Sequence, residues 1–224
     1  MSARAVIFDM DGLLIDSERV ILDCWRGIAA EQGLPPADDV WLSMVGLHEA
    51  GCAQLLNTLL GAEQAEQLTL QCQHRYDQRV ESGLPLKPGA RELLQDLFDL
   101  GIPIAVATST RGERARIKLA RSDIGHYFSH VVTSSDVLHP KPAPDLYLLA
   151  AARLGIAPHH CLALEDSEFG VRAASAAGIR VIQIPDLVPA TELSRSLAEV
   201  VTSLEGARPI LESWLRLAPG QTSR

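Results

Sequence analysis

The 224-residue chain is predicted to be an α/β protein, a doubly wound parallel sheet with a block of helices inserted after its first strand. Three observations carry this reading. An apolar run at 4–8 ends abruptly in acidic and glycine residues; helical spacing without strand-like runs then occupies residues 16–82; and from 89 to 184 helices and strands alternate through short loops. Such alternation is characteristic of parallel strands linked by crossover helices. Because the first strand precedes the helical stretch, that stretch is an insertion.

Each element follows from its local pattern. "RAVIF" at 4–8 is a short β-branched and aromatic run, a buried strand that stops at Asp9. "ERVILDCWRGIAAEQG", "HEAGCAQLLNTLLG" and "AEQAEQLTLQCQHRYDQRVES" have helical spacing with glycine at or near three of the ends. "GLPLKPG" at 83–89 holds two prolines and two glycines in a linker-like run. After it come helix 89–100, strand 102–108, helix 111–121, strand 130–134, helix 143–154, strand 161–165, helix 168–177 and strand 180–184. Closing helices are expected at 191–216 and a frayed tail at "APGQTSR". The expected division is a core of residues 1–15 and 85–224 and an inserted helical domain of residues 16–84.

Composition narrows the function classes. A net charge of −8 argues against a partner held by phosphate neutralisation, whether nucleic acid or an anionic membrane. Hydrophobic residues make up 47% and aromatics 4%, so the core must be largely Leu, Ala, Val and Ile. Cys24, Cys52, Cys72 and Cys161 are widely spaced, with no C-x-x-C pair and no histidine placed to complete a zinc site, and are read as reduced thiols. No signal peptide and no run of about 18 apolar residues is found. The expectation is a cytoplasmic protein, with no oligomeric state implied.

In open parallel sheets ligands bind beyond the carboxyl ends of the strands, so the residues that follow each strand sample the site. They are Asp9-Met10-Asp11-Gly12, then Thr108-Ser109-Thr110, then "SSDVLHPKPAPD" with Lys141, then Glu165-Asp166-Ser167. Taken singly, each has an ordinary explanation: a turn for D-x-D-G, helix caps for Thr108, Ser109 and Glu165 to Ser167, a solvated loop for Lys141. Taken together and in order, they supply oxygen ligands for a hard cation, donors for anionic oxygens, a fixed positive charge and a carboxylate able to attack.

The motifs "DMDGL" at 9–13, "VATST" at 106–110, "PKPAPDLY" at 140–147 and "LEDSEFGVRAASAAGI" at 164–179 strongly resemble the haloacid dehalogenase superfamily, in the subgroup with a helical cap inserted after the first motif. The resemblance implies a Rossmann-like core and a phosphoryl transferase working through an aspartyl-phosphate. Asp9 would be the nucleophile, and Asp11 the acid for the leaving alcohol and the base toward water. Mg²⁺ would be held by Asp9, the Asp11 carbonyl and Asp166, with Glu165 as a ligand or a group behind the ligands. Thr108, Ser109 and Lys141 would hold the phosphoryl oxygens.

Electrostatics shows why so many parts are needed. An aspartate approaching a phosphate dianion at about 4 Å meets a repulsion of roughly 8 kcal/mol at an effective dielectric of 20. A divalent cation and the Lys141 ammonium can offset it. Asp11 has the opposite requirement: as an acid it must hold a proton near neutrality, and the neighbouring negative charges are expected to raise its pKa. For Asp9 and Asp11 to take different roles at spacing two, the backbone must twist, and Gly12 is placed to allow it.

The activity expected is hydrolysis of a small phosphorylated metabolite, a sugar or polyol phosphate, with phosphoglycolate or a nucleotide as further classes left open. Dehalogenases of the superfamily do not keep the second Asp or the metal requirement. A phosphomutase of the β-phosphoglucomutase type would carry a His on the first cap helix, where "SERVILDCW" has Ile21, and cationic residues in a cap loop that here reads "MVGLHEAGC". The remaining alternative is a catalytically idle binding or regulatory protein. Glu18, His48, Glu49 and Arg111 are the candidates for substrate selection.

Overall fold

The structure, a computed structural model, describes residues 4–34, 38–44 and 49–216. Its strands are β1 (Ala5–Phe8), β2 (Ile104–Thr108), β3 (His130–Thr133), β4 (Cys161–Glu165), β5 (Arg180–Gln183) and β6 (Glu199–Val200). They form one six-stranded sheet in the order β3-β2-β1-β4-β5-β6, with every pairing parallel. β1 is central and wholly buried, and Phe8 lies level with Val106 on one side and Leu164 on the other. Strand order reverses direction between β1 and β4, which is where the carboxyl ends of an open sheet leave a crevice.

Between β1 and β2 come the inserted helices α1 (Ser17–Glu31), α2 (Asp38–Ser43), α3 (Glu49–Leu60) and α4 (Ala62–Glu81). They have an apolar centre of their own, including Leu22, Ile28, Trp41, Leu56 and Leu68, in which Trp25 stacks on Trp41 with ring centres 6.1 Å apart. The sequence pattern did not reveal α2, whose six residues are too few for a 3.6-residue period to repeat.

The outgoing and returning linkers run side by side. Asp16 N–H donates to the Pro85 carbonyl at 2.8 Å, Lys87 N–H donates to the Leu14 carbonyl at 2.9 Å, and Ile15 bridges Leu86 between them. Asp186, in the loop after β5, anchors this seam to the core by accepting from both Lys87 and Arg19 at 2.5 Å.

The remaining helices cover the sheet: α5 (Ala90–Asp99), α6 (Gly112–Arg121), α7 (Asp145–Leu154), α8 (Glu168–Ala176), α9 (Glu192–Leu197) and α10 (Leu204–Arg216). Successive strand residues face opposite ways. Val6, Phe8, Val106 and Leu164 therefore meet Leu94, Leu119 and Trp214 on one face. Ile7, Ala105, Ala107 and Ala163 meet Tyr147, Ala150, Val171 and Ala174 on the other, where small residues bring α7 and α8 close to the sheet. Each Leu, Ile or Phe so buried contributes about 1.5–3 kcal/mol.

The closing stretch differs from expectation. Between α9 and α10 the chain forms β6, a two-residue strand that pairs Val200 with Gln183, too short to show as an alternating pattern. Among the described residues no helix is long and apolar enough to cross a membrane.

Candidate active site

Four chain segments meet at the crevice beside β1. Asp9 follows directly on β1, its N–H held by the Leu164 carbonyl of the adjacent strand at 3.0 Å. Lys141 comes from the loop before α7 and places its ammonium between two carboxylates, 2.6 Å from Asp9 Oδ1 and 2.5 Å from Glu165 Oε1. Its side chain is 5% exposed. A lysine so buried is tolerated because both neighbours are anionic, and burial, which opposes its charge, is outweighed by Asp9 and Glu165.

Glu165 ends β4 fully buried and accepts five hydrogen bonds: Lys141 and the Tyr147 hydroxyl on Oε1, and the Asp166 N–H, Ser167 N–H and Ser167 hydroxyl on Oε2. Two carboxylate oxygens offer about four acceptor sites, so this carboxylate is saturated by the protein. The glycine of "LEDSEFG" explains how it fits. A methyl group on Gly170 would overlap both Glu165 oxygens.

Asp9, Glu165 and Asp166 each bring a carboxylate oxygen within 4.8 Å of the others. Burial raises the pKa of Asp9 above the carboxylate range, with Glu165 and Asp11 adding to the effect and Lys141 opposing it. Burial likewise pushes Asp166 well up, reinforced by the charges of Glu165, Asp9 and Glu18. Three carboxylates against one ammonium leave the cluster short of positive charge. Gly12 makes the cluster possible twice over: its φ of 80° is a left-handed turn that suits glycine, and a side chain there would collide with the Asp166 carboxylate.

Asp11 lies in different surroundings from those expected. Lys118 Nζ donates to Oδ1 and the Thr110 hydroxyl to Oδ2, both at 2.6 Å. Burial pushes the Asp11 carboxyl up, but Lys118, Thr110 and Ser17 together hold it below the usual value. The expectation that negative neighbours would raise its pKa is therefore corrected: a buried cation hydrogen-bonded to Asp11, with Thr110 and Ser17, holds it down.

The other predicted residues divide. Thr108 closes β2 fully buried, its hydroxyl accepting from the Thr110 N–H at 3.1 Å, while Ser109 beside it is exposed. Glu18, on the first turn of α1, reaches toward the site: its Cγ would be 3.5 Å from a methyl on Gly12. Burial, then the charge of Asp11, pushes Glu18 up to about 7. Arg111 precedes α6 and is exposed. Glu49 opens α3, and His48 lies outside the described residues.

Sequence reasoning missed Lys118, Thr110, Tyr147 and Tyr76. Thr110 and Tyr147 stood inside motifs already quoted. Lys118 had a signal of its own, since it shares the buried face of α6 with Gly112, Ala115 and Leu119. A lysine in an apolar stripe needs an anionic partner.

Residues 3–178 match the haloacid dehalogenase-like hydrolase family. The chain is 36% identical over 180 residues to a phosphorylated carbohydrates phosphatase of Thermotoga maritima, covering 80% of this chain and 83% of that protein. It is 31% identical to a fructose-1-phosphate phosphatase of Escherichia coli, covering 80% and 95%. Among solved structures, a HAD family hydrolase from Deinococcus radiodurans, crystallised with phosphate and sodium, superposes with a TM-score of 0.83 at 29% identity over 97% of this chain and 98% of that one.

Proposed function

Since the chain belongs to the haloacid dehalogenase-like hydrolases, we propose that it hydrolyses phosphate monoesters of small metabolites through a phosphorylated Asp9. The class of activity, a phosphoric monoester hydrolase, rests on the family and on the phosphatases to which the chain is similar. The observation that carries the mechanism is the pair of contacts made by Lys141, which fixes the Asp9 carboxylate at the switch point of the sheet with a cation beside it.

In the first step an oxygen of Asp9 bonds to phosphorus as the P–O bond to the alcohol breaks, and the departing oxygen takes a proton from Asp11. In the second, water bonds to phosphorus, Asp11 receives its proton, and Asp9 is released with inorganic phosphate. The ionised form of Asp11, which Lys118, Thr110 and Ser17 favour, is the form required for the second step. For the first, the arriving phosphoryl charge works against the pull of Lys118 and favours protonation. Lys141 and Thr108, with Ser109, supply positive charge and donors to the phosphoryl oxygens.

The donor set suits Mg²⁺, being oxygen throughout and in excess of negative charge. We assign the ion to Asp9, the Asp11 carbonyl and Asp166. Glu165, saturated by five donors, belongs behind them as the support of Lys141. When bound, the ion would polarise the phosphoryl oxygens and offset the repulsion between dianion and nucleophile.

Residues 16–84 act as a cap over the site, and the substrate is a sugar or polyol phosphate, a reading supported by the similarity to a phosphorylated carbohydrates phosphatase and a fructose-1-phosphate phosphatase. Ile21, packed against the core, offers no group for the proton shuttle of a mutase. The test is phosphate release from hexose and polyol phosphates, with and without Mg²⁺, by wild type and Asp9→Asn. Release by the wild type with Mg²⁺ alone supports the proposal; background release in all four reactions overturns it.

A further inference from the structure

Lys118 is a charged residue 5% exposed in the apolar stripe of α6, next to Ala115 and Leu119. Packing alone favours an aliphatic residue there, since a buried ammonium must recover its lost hydration from partners. Two groups meet it, and they come from different parts of the molecule. Asp11 Oδ1 receives its hydrogen bond at 2.6 Å, and the ring of Tyr76, on α4 of the inserted block, lies over the ammonium with its centre 5.3 Å away. A cation over an aromatic face at this distance is attracted to it.

Tyr76 is itself held. It is 6% exposed, and the Arg114 guanidinium covers its ring at 5.2 Å while pairing with Asp77 of α4 at 2.5 Å. The chain of contacts therefore runs from the inserted block, through Tyr76 and Lys118, to the carboxylate that handles the proton. On its other oxygen Asp11 is held by Thr110 at 2.6 Å. Two donors on two oxygens fix the plane of the carboxyl, where a single one would leave it free to swing.

We infer that Lys118, covered by Tyr76, is a positioning residue that aims the Asp11 carboxyl at the leaving oxygen, so that alignment of the acid depends on the seating of α4 over the core. The inference rests on the phosphatase reading and deepens it. A proton donor must lie within about 2.6–3.2 Å of its acceptor to work, and the hydrogen bonds from Lys118 and Thr110 to the two Asp11 oxygens set where that carboxyl lies.

The consequence is selective for the leaving group. An alkoxide leaves badly and needs the proton; a 4-nitrophenolate leaves well without it. kcat/KM reports events up to the first irreversible step, here transfer to Asp9, so comparing an alkyl with an aryl phosphate isolates the acid. Lys118→Met should lower kcat/KM for a polyol phosphate by about 10²-fold, the range typical of a positioned acid, while 4-nitrophenyl phosphate loses much less. Tyr76→Ala should give the same pattern in weaker form, and Lys118→Arg, which keeps a donor, should retain more of the alkyl activity than Lys118→Met.

Equal losses on both substrates, or no loss on either, would overturn the assignment and leave Lys118 as a packing residue. Should Lys118→Met fail to fold, Tyr76→Ala, which removes the ring from the inserted block and leaves α6 of the core unchanged, carries the same comparison with the same two readings. A wild-type enzyme inert toward both phosphates would instead defeat the phosphatase reading, a distinct result.

Discussion

Gly170 lies directly beneath the Glu165 carboxylate, so close that a methyl group on its Cα would overlap both oxygens. The relationship links a helix residue with no chemistry of its own to the charge on Lys141. Gly170→Ala must push Glu165 aside, and with it one of the two anions that hold the ammonium. Crowding of this kind costs about 1–3 kcal/mol, which a urea titration will show as a lower midpoint. Phosphate release should fall in parallel, because Lys141 loses its alignment on Asp9.

Metal withdrawal should be as damaging as loss of the nucleophile. EDTA is expected to bring turnover to background and added Mg²⁺ to restore it. Because an ion that binds only the folded state stabilises it, by about 2.7 kcal/mol at a hundredfold excess over Kd, Mg²⁺ should also raise the melting temperature. Asp166→Asn should abolish that rise; a melting temperature that still climbs with Mg²⁺ in this variant would move the ion elsewhere.

Glu18 changes charge close to neutrality, its carboxyl pushed up to about 7 by burial and by Asp11. Below that pH it is neutral and can donate a hydrogen bond to a substrate hydroxyl; above it, it can only accept. The ratio of kcat/KM for two polyol phosphates of different hydroxyl pattern should therefore drift between pH 6 and pH 8 in the wild type. In Glu18→Gln the ratio should be flat, with turnover itself preserved.

Asp136 gives a stability test remote from the chemistry. Burial acts to raise its pKa, but the Thr133 hydroxyl, Arg153 and the Thr133 N–H outweigh it and hold the carboxyl at about 2. The folded value lies below the unfolded value of 3.8, so the ionised form is favoured by folding. Its contribution, on the order of 1 kcal/mol after solvent screening, is complete above about pH 4 and lost as pH falls through about 2. Asp136→Asn should lower the urea midpoint at pH 6, and the gap to wild type should narrow at pH 3.

What could be read from the chain follows from the geometry of a parallel sheet. Asp9, Thr108 and Glu165 end or directly follow adjacent strands, and strands running one way bring their ends to one edge, so order along the chain was enough to assemble them. Lys141 follows a strand by a longer loop and still arrives at that edge. Asp11 shows where such reasoning stops. Its partner Lys118 is contributed by the side of a helix, 107 residues away, and no strand end points to it. Negative neighbours were visible in "DMDG"; the cation that outweighs them was not. α2 and β6 escaped because six and two residues are too few to show a period.

The seam between the two linkers has a consequence beyond holding the helices in place. Leu14 and Lys87, and Asp16 and Pro85, are each one hydrogen bond apart, so the excursion begins and ends at the same spot. A segment with adjoining ends can change in length or be exchanged outright with little penalty in chain entropy. The core thus resembles a socket that keeps Asp9 and Lys141 aligned whatever is plugged into it. New substrate preferences can then arise by replacing residues 16–84 as a cassette, so long as the replacement again covers Lys118 as Tyr76 does.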